Sequence, residues 1–145
     1  MLQSYDWQGA LSTCEEVLRN DPEHLGALEV LAQAQWYGGH FAKVIETTSR
    51  LLRLNPLEPG YRYTRGMAYV SRGDLTLAME DFRCALRQSN NAEFRSQVMN
   101  SLEAVEVWTE QVMAGGTVRT ATKSYEFGTP LRAQSVFGAR SGRVS

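Results

Sequence analysis

Two cysteines, two histidines and four prolines in 145 residues leave little material for several kinds of protein. Cys14 and Cys84 lie far apart in the chain with no CxxC, so neither a disulfide framework nor a zinc site is signalled. His24 and His40 each stand alone near a turn, without a second ligand at metal spacing, and no metal or cofactor is expected. No apolar run approaches the roughly 18 residues that a membrane span requires. The opening MLQSYDWQGA lacks the basic and apolar segments of a secretory signal. The default is a soluble, cytoplasmic chain with no membrane partner.

A catalytic set is also missing. There is no glycine-rich phosphate loop and no nucleophile elbow. Glu15-Glu16 and Glu80-Asp81 are adjacent pairs whose side chains diverge on a helix, so they read as solvated charge, not as an acid–base dyad. No enzymatic activity is expected.

What the sequence does contain is a repeat. The segments LRNDP, LRLNP and LRQSN begin at positions 18, 52 and 86, so the interval between them is the same each time. Laying residues 25–58 over 59–92 places Gly26 on Gly60, Ala34 on Ala68, Gly39 on Gly73, Glu46 on Glu80 and Arg53 on Arg87. Residues 5–22 match the second half of that unit, with Thr13 on Thr47, Leu18 on Leu52 and Pro22 on Pro56.

Within a unit the apolar spacing is helical. Ala27, Leu28, Leu31 and Ala34 form one stripe; Phe41, Val44, Ile45, Thr48, Leu51 and Leu52 form a second. Gly38-Gly39 separates the two, as Gly73-Asp74 does in the next unit, where Asp74 is placed to cap the following helix. Pro22 and Pro56 end the preceding helices, because proline donates no amide and disfavours helix in the residue before it. Each unit therefore reads helix, tight turn, helix, stop. The small residues Ala32, Gly66, Ala78 and Ala85 suit close helix crossings, where bulk would overpack, while Phe41, Leu75 and Phe82 fill space between units.

The pattern resembles the tetratricopeptide repeat, in which small, aromatic and proline slots recur at this same period. Residues 65–86, RGMAYVSRGDLTLAMEDFRCAL, carry Gly66, Tyr69, Gly73, Ala78, Phe82 and Ala85 in those slots. The first unit is looser, with Ala32 for glycine, Val44 for alanine and Thr48 for the aromatic; both lack the opening tryptophan. The fold expected is all-α, a helical-hairpin solenoid over residues 1–114. It would comprise a half repeat at 5–22, repeats at 25–58 and 59–92, and a capping helix at 93–113 that seals the stack, with Asn91 as its cap. The front helix lacks the partner that would precede it. Trp7 and Leu11 would then be partly uncovered, which points either to self-association through that face or to a fragment of a larger protein of this repeat type.

The resemblance implies a non-catalytic scaffold whose first helices line a concave groove for a partner's peptide or helix. Its slots hold Glu29, Gln33, Trp36 and Tyr37 from the first unit, Tyr63, Met67 and Val70 from the second, and Gln97 from the last helix. Two readings of Trp36 and Tyr37 stay open, groove anchors or packing aromatics. A subtype that grips terminal carboxylates needs basic residues where Glu29, Gln33 and Tyr63 stand, so that ligand does not fit. Arg62, Arg65 and Arg72 recur along one helix, either to meet an acidic peptide or as a solvated face with local ion pairs.

Charge is unevenly divided. Residues 1–114 hold 10 Lys/Arg and 15 Asp/Glu, whereas residues 115–145 hold 5 and 1. The tail has no sustained period and is expected to be disordered. An adaptor that touches nucleic acid through this tail is the alternative function, but five cations spread from position 115 to 145 are a sparse basis for it. A second role for the tail is to fold back on the acidic repeats, with Tyr125 or Phe137 in the groove.

Overall fold

The structure is a computed structural model and describes residues 5–113. Six helices follow one another: α1 (Trp7–Asn20), α2 (Leu25–Tyr37), α3 (Phe41–Leu54), α4 (Pro59–Arg72), α5 (Leu75–Gln88) and α6 (Ala92–Met113). No strand occurs among the described residues, and each helix packs mainly on its neighbours in sequence. The result is an all-α, helical-hairpin repeat arrangement. α1 lies within 5–22, α2 and α3 within 25–58, α4 and α5 within 59–92. The basic tail, with the expectation of disorder placed on it, lies outside the described residues.

The repeated stops act as their chemistry dictates. α1 ends at Asn20 and α3 at Leu54, and the residues before the two prolines, Asp21 and Asn55, have left the helical region with φ near −140° and −146°. The turns between paired helices use left-handed glycines, Gly39 at φ 77° and Gly73 at φ 85°, where a β-carbon would be strained. In the same repeat register the third such position is Val107. A β-branched residue does not adopt that conformation, and α6 runs straight through it to 22 residues.

Capping is mixed. Asn91 Oδ1 accepts the Phe94 amide at 2.8 Å, as expected. His24 caps α2, its Nδ1 accepting the Ala27 amide at 3.0 Å, and Asp6 caps α1 through the Gly9 amide. Asp74 sits at the start of α5 but makes no side-chain cap; its carboxylate turns toward Arg72 at 3.9 Å.

Two apolar clusters hold the stack. Leu28, Leu31, Leu51, Leu52, Tyr61 and Cys14 join α1 to α4, and a larger set around Val44, Phe82, Ala85, Val98 and Val105 runs from α2 to α6. Each such buried side chain contributes roughly 1.5–3 kcal/mol. The small positions Ala32, Gly66, Ala78 and Ala85 are all buried, and Tyr69 packs half-buried on the larger cluster. At the front, Gly38 admits the Trp7 ring: a β-carbon there would lie 2.8 Å from it. Trp7 and Leu11 are half-buried, and no large apolar side chain of α1 is exposed.

Candidate functional site

The predicted groove residues come from α2, α4 and α6, and two hydrogen bonds tie these three helices into one layer. Tyr61 Oη of α4 donates to Glu29 Oε2 of α2 at 2.6 Å. Tyr63 Oη of α4 and Ser101 Oγ of α6 are 3.2 Å apart. Neither bond joins equivalent positions of the repeat: Tyr61 and Glu29 are 32 residues apart and Tyr63 and Ser101 are 38 apart.

Burial divides the predicted set. Tyr63 is 1% exposed, its ring 5.7 Å from those of Phe82 and Phe94. Trp36 is buried with its edge on Phe41, the centroids 5.0 Å apart, and Met67 and Val70 are buried in the same cluster. These four side chains are almost covered within the chain and support the layer from within, so the groove reading of them is left to a floor beneath the more accessible residues. Trp36 therefore belongs to the packing alternative. Gln33, Tyr37 and Gln97 are half-buried and retain accessible surface. Tyr37 packs against Tyr5 with the rings tilted, at 4.4 Å between centroids, and Gln97 Nε2 is buried with no hydrogen-bond partner among the described residues.

Glu29, expected as a groove carboxylate that repels anions, is instead buried and accepts the Tyr61 hydroxyl. The Tyr61 hydroxyl is pushed up to about 12, first by burial and then by the nearby Glu58 charge, with Asn55 acting in the opposite sense. A proton held that firmly keeps the hydroxyl a donor across the physiological range.

A second correction concerns Asp81, which reads from sequence as solvated. Its side chain is 4% exposed and is gripped by Arg65 through two bonds, Nε to Oδ2 at 2.8 Å and Nη2 to Oδ1 at 2.9 Å. Arg62 Nη1 approaches at 3.5 Å, and Arg65 also donates to Ser49 Oγ at 3.0 Å while lying 5.8 Å from the Tyr69 ring centre. The Asp81 bond raises the Arg65 pKa further. This network spans α3, α4 and α5, so Arg62 and Arg65 are committed to Asp81 and their face is a set of local ion pairs. The sequence signal was there in outline, since Arg62 and Arg65 stand one turn apart; what was missed is that only the second acid of Glu80-Asp81 faces them.

The proline turns are held from the next hairpin. Arg50 donates to the Pro22 carbonyl at 3.0 Å and Gln88 Nε2 to the Pro56 carbonyl at 2.9 Å. Arg95 does the same for the end of α5, reaching the carbonyls of Leu86 and Ser89. Among the described residues no group of three or more His, Cys, Asp or Glu side chains converges as for a metal ion, and no helix is long and apolar enough to cross a membrane. No family model matches this chain, and no curated protein does.

Proposed function

We propose that the chain is a non-catalytic interaction module of the tetratricopeptide type, holding an extended or helical segment of another protein along the face shared by α2, α4 and α6. The observation that supports this reading is the repeat register, which sets Gln33 of α2 and Gln97 of α6 in groove slots while both side chains stay only half-buried. Gln33, one turn beyond the equivalent position on α2, and Tyr37 flank the same layer with surface to spare. Tyr63, Met67 and Trp36 would act as the rigid floor under the ligand.

The test is affinity capture with the intact chain beside a Gln33→Ala/Gln97→Ala variant, which leaves the apolar core untouched. Proteins enriched by the parent and lost from the variant, then rebound as synthetic segments, support the reading. An identical set captured by both chains overturns it.

A further inference from the structure

The two ends of the stack are halves of the same unit. Each complete unit packs a first helix on a second, α2 on α3 and α4 on α5. α1 stands in second-helix register and α6 in first-helix register, and among the described residues neither has its opposite half. The repeat shows which surface each end leaves open. Thr47 of α3 and Asp81 of α5 are buried, whereas their equivalent on α1, Thr13, is exposed. Leu51 and Ala85 are buried, but Val17 in that position is only half-buried. On α2, Val30 is 41% exposed, against 2% for its equivalent Thr64. At the far end the close-crossing slots Ala32 and Gly66 are buried, while Asn100 in the same slot is exposed. Glu103 is exposed too, although its equivalent Gln35 is buried.

We propose that these ends belong together: α6 of one copy of this chain packs as the first helix for α1 of the next, and copies join head to tail. The occupant follows from contacts that the repeat already makes. Thr47 donates its hydroxyl to Gln35 Oε1 at 2.8 Å, joining α3 to α2. In the same register Thr13 of the next copy meets Glu103, so a hydroxyl donor again faces a carbonyl-type oxygen. In the single chain that hydroxyl turns back to the Gly9 carbonyl of its own helix at 3.0 Å, and a rotation about χ1 redirects it. Volume is complementary as well. Gly66 has no room for a β-carbon because Phe82 fills the crossing. On the joined ends Cys14 stands in the Phe82 slot and Asn100 in the Gly66 slot, so the smaller residue on one helix admits the larger on the other. A contact between unlike surfaces of one chain does not close on itself, so it propagates. Charge sets its salt dependence. α1 holds Glu15 and Glu16 beside Arg19, and α6 holds four glutamates beside Arg95. Both helices are net negative, so salt screens their repulsion and strengthens the joint.

Sedimentation equilibrium of the intact chain tests this, with one variant blocked at each end. Thr13→Glu sets a carboxylate against Glu103, and Asn100→Glu overfills the crossing. Both positions are exposed, so folding is retained, and neither is a groove slot, so capture through Gln33 and Gln97 is tested separately. The average mass of the parent is expected to rise with protein concentration, and to rise further with added salt. Each variant alone stays monomeric, while an equal mixture forms dimers, because the open end of one fits the open end of the other. Glu103→Gln, which supplies the residue found at position 35, is expected to tighten the association about three-fold. A parent still monomeric at about 1 mM, or a mixture that forms no dimers, overturns the proposal. Dimers of Thr13→Glu alone assign the contact to two α6 faces, and dimers of Asn100→Glu alone to two front faces; either result overturns head-to-tail joining.

Discussion

The Phe82 ring lies against the backbone of Gly66: a β-carbon at that glycine would sit 2.6 Å from Phe82 Cε1 and 3.3 Å from the Ala78 carbonyl oxygen. Phe82 is fully buried and cannot swing away into solvent. Gly66→Ala gains roughly 1 kcal/mol of helix propensity but forces this crossing apart, at a cost of about 1–3 kcal/mol. The expected outcome is a lower denaturation midpoint, with part of the loss recovered in Gly66→Ala/Phe82→Leu. Additive losses in that double-variant cycle would place the strain elsewhere.

Asp81 and Arg65 give a second prediction. Arg65→Met leaves a buried carboxylate with only the longer Arg62 contact, which is expected to destabilise by roughly 3–5 kcal/mol. Arg65→Met/Asp81→Leu removes both charges and should regain most of that. Urea titration of both variants checks the order; a double variant no more stable than the single would show that the network also holds the helices in place.

Tyr61 predicts an alkaline limb. Its folded-state pKa of about 12 stands above the ordinary 10, so the folded chain keeps this proton longer than the unfolded one does. The resulting stabilisation is fully present below pH 10 and is lost as the pH rises through 12. Tyr5, also raised by burial, acts with the same sign. Thermal melts of the parent should fall more steeply over that window than those of Tyr61→Phe. At neutral pH the same variant should be less stable by about 1–3 kcal/mol, since Glu29 loses its hydroxyl donor.

The turn glycines supply a fourth. Gly73 at φ 85° has nothing near its absent side chain, so substitution there is a matter of backbone conformation alone. Gly73→Ala is expected to cost about 1–2 kcal/mol, Gly73→Asn less, and Gly73→Val more than either. Calorimetric midpoints in that order would confirm that the left-handed turn, not packing, sets the requirement.

Much of this architecture is legible in the sequence because it rests on residues with restricted backbones. Pro22, Pro56, Gly39 and Gly73 fix where helices stop and turn, and the constant repeat interval pairs those helices. The capping helix expected at 93–113 is found at Ala92–Met113, and Val107, standing where Gly39 and Gly73 turn the earlier units, is the reason no turn interrupts it. Burial of polar groups is not legible. Asp81 and Glu29 look solvated until Arg65 and Tyr61, 16 and 32 residues away, are folded beside them. The groove suffers from the same blindness. A slot in a repeat says which way Trp36, Tyr63 and Met67 point along their helices, but not how deeply the neighbouring helix covers them.

The side chains that reach back to the proline turns also bear on how the fold comes apart. Arg50 fastens the corner at Pro22, Gln88 the corner at Pro56, and Arg95 the end of α5. Each of these three joints between units is thus latched by a helix that comes after it. Fraying from the α6 end would open those latches in succession, last to first, whereas loss of α1 would leave the Gln88 and Arg95 latches closed.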